Sequence, residues 1–206
     1  MNKFLTLKGS LTTSSIAVVF VKDSGLFPPG VQLSERKNKH RKQKKGDVVT
    51  YPKLDGYGGH WNPKKGDTTI CDTARRKLHK KAGVTAEEKD LILVGVVDVF
   101  YPGNISAKPD RRIHYFFLYR YDGKLCETEK MRSPKRFTSS DAPYEHMRPI
   151  DQVVLPLILE EKYVKGSVCL EKDDKGGVKI ANKRLTCSPV IRCPEKTDKL
   201  PRDLMK

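Results

Sequence analysis

The sequence predicts a mixed α/β chain, and three observations carry that expectation. Apolar runs rich in β-branched and aromatic residues recur at 16–21 (IAVVFV), 91–100 (LILVGVVDVF) and 113–121 (IHYFFLYRY). Between the first and second lies a helical pattern in which Ile70, Ala74 and Leu78 are spaced by four. A second helical segment, 152–164, leads into two short β-type runs around a turn.

Residues 16–21 have the continuous apolar character of a buried strand. Pro28, Pro29 and Gly30 then break regularity. Residues 34–46 (SERKNKHRKQKKG) carry Arg36, Lys37, Lys39, Arg41, Lys42, Lys44 and Lys45 with almost no apolar residue, the pattern of a solvated loop or of a nucleic-acid contact. Asp67 or Thr68 caps a helix that ends near Ala82 and Gly83, over 67–82. Lys77, Lys80 and Lys81 are related by three and four and share its other face. Like charges so placed repel by roughly a few tenths of a kcal/mol per pair unless an anion neutralises them.

Strands 91–100 and 113–121 are joined by the polar segment 103–112. The 152–164 helix presents Val153, Leu157 and Val164, with Pro156 in its first turns, where proline is tolerated. Runs 168–170 and 178–180 flank 173–177 as a terminal hairpin. From Thr186 onward three prolines and no periodicity predict an irregular basic tail. The expected organisation is an extension at 1–14, one domain at 15–185 carrying the basic loop, and a tail at 186–206.

The chain has 206 residues, enough for one domain with a sizeable core. Lys+Arg 41 against Asp+Glu 25 gives +16, a balance that attracts polyanions such as nucleic acid. Cys71, Cys126, Cys169, Cys187 and Cys193 are scattered with no CxxC spacing, which argues against a zinc site and for reduced thiols in a cytoplasmic setting. The run 16–21 is too short for a signal sequence or membrane span. The first 22 residues hold no acid and several Ser/Thr, which keeps an organellar location as the alternative.

Residues 58–84 resemble the Nudix box, written as Gly, five residues, Glu, seven residues, then Arg-Glu-apolar-x-Glu-Glu-x-Gly-apolar. Gly58, Gly59, Gly66, Arg76, Leu78, Gly83 and Val84 carry the resemblance. The three helix glutamates fall on Lys77, Lys80 and Lys81. Two residues are added between Gly59 and Gly66, so the remaining box glutamate falls on Thr68, beside Asp67. Further segments are similar to MutT-type purine-triphosphate hydrolases. LDGYGG at 54–59 resembles the strand entering the box, with Asp55 where a base-contacting asparagine is usual. ETEKMR at 127–132 resembles Glu-x-x-Glu-Met-Arg, its second, metal-site glutamate becoming Lys130. DAPYEHMRPID at 141–151 resembles a loop ending Met-Trp-Pro-Asp-Asp. There Met147, Pro149 and Asp151 match, Arg148 replaces the purine-stacking tryptophan, and Ile150 replaces one base-reading aspartate.

The resemblance implies a Nudix-type α/β/α sandwich around a mixed sheet. It implies phosphate contacts at Arg76, Lys77, Lys80, Lys81 and Lys130, and base contacts at Asp55, Met147, Arg148 and Asp151, with Arg148 stacking its guanidinium plane. In the family the carboxylates hold Mg²⁺. Lysine has donors and no lone pair, so no metal cofactor is expected. The first reading is therefore an inactive Nudix-fold protein that binds RNA, a ribonucleoprotein or a phosphate-rich nucleotide. The second is an active hydrolase of nucleoside diphosphate-linked substrates that uses Mg²⁺ on other acids, with Asp67 and Glu127 as catalytic candidates beside Asp72 and Glu129. The third is a structural subunit with a vestigial cleft. Tyr51, Tyr57 and Trp61 are stacking candidates near the cleft, core packing being favoured for Tyr57. His60, His79 and His114 are surface or supporting groups.

Overall fold

A computed structural model describes residues 14–22, 30–37, 54–105, 107–174 and 177–190. The strands are β1 (Ser15–Lys22), β2 (Gly30–Glu35), β3 (Leu54–Asp55), β4 (Tyr57–His60), β5 (Leu91–Phe100), β6 (Arg111–Leu118), β7 (Lys135–Thr138), β8 (Lys162–Lys172) and β9 (Val178–Pro189). Helix α1 spans Ile70–Ala82 and α2 spans Pro149–Leu159.

The sheet runs β3-β2-β1-β6-β5-β8-β9, with β4 paired to β1 and β7 to β2. It is mixed: β1–β6 and β5–β8 are parallel, and the other pairings are antiparallel. The central strand β1 explains its own unbroken apolar sequence. Val18 and Phe20 enter a core with Leu33, Val97, Tyr115, Val154 and Ile158. Ala17, Val19 and Val21 enter a second core with Tyr57, Ala74, Leu78 and Phe116. A strand buried on both faces has no polar alternation to show. α1 therefore packs on one face of the sheet and α2 on the other.

Helix α1 begins three residues later than the expected 67–82. Thr69 is its cap, and its hydroxyl accepts from the Asp72 amide at 3.1 Å while the Asp72 carboxylate accepts from the Thr69 amide at 2.8 Å. That reciprocal box satisfies two end amides, which neither Asp67 nor Thr68 achieves from its own position. Gly83, at φ 77°, closes the helix in the left-handed conformation that glycine adopts freely.

The second helix also moves. It starts at Pro149, whose missing N–H is no loss in a first turn, and stops at Leu159. Ile150, Val154, Leu155, Ile158 and Leu159 are its buried apolar residues, with Asp151 buried beside them, while Val153 and Leu157 are only partly buried. Glu161, at φ 60°, turns the chain, and Val164 enters the core from β8 instead of from a helix. The terminal hairpin is longer than expected, and β9 carries regular structure through Pro189 into the stretch read as tail. Strands β2 and β7 were not foreseen. β2 begins at Gly30, immediately after the two prolines, and ends inside the stretch read as a basic loop. Lys39, Arg41, Lys42, Lys44, Lys45 and Tyr51 lie outside the described residues. Among the described residues no helix is long and apolar enough to cross a membrane.

Candidate phosphate-binding cleft

The chain enters α1 through β4, and two glycines set how closely. A Cβ at Gly58 would lie 2.0 Å from the Ala17 carbonyl oxygen, and one at Gly59 would lie 2.7 Å from Lys77 Cε. Bare backbone here lets β4 press against β1 while the Lys77 side chain crosses over it.

Asp67 fixes the approach to the helix. Its buried carboxylate accepts from the Asn62 amide at 2.9 Å, the Thr73 hydroxyl at 2.8 Å and Arg76 Nε at 2.6 Å, with Arg76 Nη2 as a further donor. Arg76 also reaches the His60 carbonyl at 3.3 Å. Burial pushes the Asp67 carboxyl up, but Arg76 and the other donors win and hold it below the usual carboxylate range. Asp67 is buried and clamped to Arg76, so its carboxylate is not open as a metal ligand, while the Arg76 side chain stays 22% exposed in this ion pair. Trp61 is likewise committed, its indole N–H on the Asp67 carbonyl at 3.1 Å and its ring against the second core.

Lys77, Lys80 and Lys81 project from α1 with no ion-pair partner among the described residues. Burial lowers the Lys77 pKa, helped by Arg76, Lys65 and Lys80. Burial takes Lys81 down to about 8; Asp55 opposes this, and Arg36, Lys77 and Arg148 add to it. The segment 127–132 docks at the C-terminal end of α1, where the Thr128 hydroxyl donates to the Lys81 carbonyl at 3.2 Å and the Cys126 amide to the Ala82 carbonyl at 3.1 Å. Lys130 rides on this segment, which also pairs with the end of β2 through Lys37 N to Lys130 O at 2.9 Å.

Beside Lys81 lies a buried ionic network. Asp55, 3% exposed, accepts from Arg36 and lies 3.2 Å from Arg148. Arg148 Nε donates to Asp151 at 2.6 Å, and Asp151 also accepts from the Tyr115 hydroxyl at 2.9 Å. Burial pushes Asp55 up, but Arg148 and Arg36 hold it below the usual range. Burial pushes Asp151 up, with Arg148 opposing. Burial also pushes the Tyr115 phenol well up, and the Asp151 charge adds to it. Asp55, Arg148 and Asp151 are thus brought together, with the edge of the Arg148 guanidinium held between the two carboxylates. Met147 is 4% exposed and belongs to the core. Arg148 and Arg36 as partners of Asp55 were both missed. For Arg148 the available signal was a pair of opposite charge changes, aspartate for the usual asparagine and arginine for the usual tryptophan; for Arg36, inside a basic run, there was none.

Asp72 and Glu127 are spent elsewhere, and Glu129 is exposed. Asp72 completes the α1 cap. Glu127 pairs with Lys37 at 2.5 Å and accepts from Ser133 at 3.3 Å. Tyr57 is fully buried with its hydroxyl on Ser34 at 2.8 Å. His114, expected as a surface or supporting group, is 3% exposed, and burial takes it down to about 4. Among the described residues no three His, Cys, Asp or Glu side chains converge. Mg²⁺ takes oxygen ligands in a near-octahedral shell, and this donor set does not fit it.

The overall arrangement matches known structures. The mutator MutT protein from Bacillus halodurans superposes with a TM-score of 0.56 at 14% identity, over 83% of this chain and 96% of that one. A Nudix hydrolase from Nitrosomonas europaea gives a TM-score of 0.50 at 14% identity, over 71% of this chain and 70% of that one. The chain has the Nudix fold. At the sequence level it is similar to the mouse (Mus musculus) oxidized purine nucleoside triphosphate hydrolase, 28% identical over 132 residues, spanning 62% of this chain and 81% of that protein. No family model matches the sequence.

Proposed function

We propose that this Nudix-fold chain binds RNA, or another phosphate-rich ligand, through the lysine face of α1, without a metal ion and without hydrolysis. One observation carries the reading. Lys77, Lys80 and Lys81 share one face, two of them are partly desolvated, and none has an ion-pair partner among the described residues. Unpaired cations at helix spacing repel each other, and a polyanion relieves that repulsion while releasing its own counterions. The direct ammonium contact takes the place that a bridging cation has in a metal-dependent phosphate site. The surplus of +16 supports a polyanionic partner such as a ribonucleoprotein.

Fluorescence anisotropy with a labelled single-stranded RNA at two salt concentrations tests this. Each lysine that neutralises a phosphate adds about 0.7 to the log–log salt slope on a single strand. Converting Lys77, Lys80 and Lys81 to glutamate should abolish cleft binding. Neutralising Lys37, Lys39, Arg41 and Lys42 should weaken binding evenly across RNA sequences, because backbone contacts position and do not specify. Loss in the loop variant alone would mean that the cleft is vestigial and the basic loop carries the interaction.

The similarity to the mouse hydrolase favours a second reading, an active hydrolase. That reading needs carboxylates converging on one ion. It predicts Mg²⁺- or Mn²⁺-dependent turnover of a nucleoside triphosphate that falls when Asp67 or Glu127 becomes alanine.

A further inference from the structure

We propose that the cleft recognises a chain of phosphates and does not read the base attached to it, a specificity that rests on the phosphate-binding function proposed above. Discriminating one base from another requires polar groups left open for its edge, or a ring left open for its face. Among the described residues, the carboxylates and tyrosines beside Lys81 offer neither. Asp55 lies between Arg36 and Arg148, and Asp151 is taken by Arg148 and the Tyr115 hydroxyl. Both carboxylates are at most 3% exposed. The two buried atoms there without a hydrogen bond, Asp55 Oδ1 and Arg148 Nη2, face each other at 3.2 Å and balance each other's charge.

Among the described residues the tyrosine rings beside this network are closed as well. Tyr57 and Tyr115 are fully buried with their hydroxyls bonded inward, and Tyr144 packs on the first core with its hydroxyl on the Ser139 carbonyl at 2.9 Å. Among the described residues, the cations here include the three α1 lysines, without ion-pair partners, and Arg36, which is paired with Asp55 and has a side chain 39% exposed. A lysine ammonium is a compact point charge on a flexible stem and reads charge more than shape. The oxygen-rich, charge-dense end of a nucleotide therefore carries the interaction, and its base stays outside the readout.

The test is isothermal titration of the full chain, without divalent metal and at one ionic strength, with inorganic tripolyphosphate, ATP, GTP and UTP. Adenosine and guanosine serve as competitors. The expected result is four dissociation constants within about threefold of each other, with no displacement by either nucleoside. A nucleotide binding about tenfold or more tighter than tripolyphosphate, or a nucleoside that competes, overturns base-independence. A Lys77→Gln/Lys81→Gln variant separates this failure from failure of the cleft itself. If wild type discriminates among bases and the variant loses binding, the phosphate site stands and base-independence falls. If the variant binds as wild type does, or if tripolyphosphate does not bind at all, both fall. Lys81→Arg keeps the charge and should keep the affinity, which distinguishes lost charge from a damaged fold.

Discussion

Arg148 and Asp55 face each other at 3.2 Å from the start of α2 and the end of β3, and Asp55 is almost fully buried. Asp151 holds the same guanidinium through Nε at 2.6 Å. Two carboxylates and two arginines, with Arg36 the second, thus lock the entry of one helix to the edge of the sheet.

The first prediction follows from that network. Replacing Arg148 with alanine leaves Asp55 and Asp151 buried with half their compensation gone. Breaking a buried pair in this way costs about 3–5 kcal/mol. Asp55→Asn removes one charge but keeps the shape and hydrogen-bonding capacity, and should cost only about 1–3 kcal/mol. Urea denaturation of both variants measures the order. Equal stability of Arg148→Ala and wild type would show that the network is not holding α2.

Asp67 yields a second. Asp67→Ala strands Arg76, the Asn62 amide and the Thr73 hydroxyl together, so a loss of about 3–5 kcal/mol is expected. Asp67→Asn should retain part of the stability, since an amide oxygen still accepts. A metal ligand would behave differently, with little change in stability and a loss of Mg²⁺ affinity. Thermal melts with and without Mg²⁺ separate the two roles.

A third concerns pH. The folded Lys81 has a pKa of about 8 against an ordinary value of 10.5. Between those values the unfolded chain binds the proton more readily, so the Lys81 contribution to stability rises with pH across that window. Below pH 8 the charged amine is a burden on the order of 2 kcal/mol after solvent screening. Lys81→Met should therefore stabilise the protein at pH 7 and gain little at pH 10.5. Phosphate affinity runs in the opposite direction. It requires the ammonium, so it should weaken as pH rises through 8, and Lys81→Arg should flatten that profile. A wild-type profile with no slope between pH 7 and 9.5 would remove Lys81 from the site.

How much of this could be read in the sequence depends on the range of each interaction. The strands 16–21 and 91–100 and the Ile70, Ala74, Leu78 stripe were legible because local periodicity records burial directly. The limits of α2 were not. Pro156 sits inside the helix, and the charged triplet Glu160, Glu161 and Lys162 fits the polar face of a continuing helix as well as a turn, while Tyr163 and Val164 resume the apolar pattern in β8. β2 was obscured because its polar end merges with a run of basic residues. The α1 lysine face was visible as spacing. The Arg36–Asp55–Arg148–Asp151 network was not, because it joins distant segments and single-position reading assigned each residue a ligand contact. Asp67 shows the same limit: its charge looked available until the fold placed Arg76 on it.

The central claim is that lysines hold phosphate here without a metal and without turnover. The most direct measurement follows one sample of the full chain with a labelled RNA and a nucleoside triphosphate, in EDTA and in Mg²⁺, recording binding by anisotropy and phosphate release together. The account predicts the same salt-sensitive affinity in EDTA and Mg²⁺, no release above buffer, and at least about a tenfold loss of affinity in a Lys77→Gln/Lys80→Gln/Lys81→Gln variant. Binding that requires Mg²⁺, release of phosphate on the timescale of an enzyme, or a triple variant that binds as tightly as its parent would contradict it.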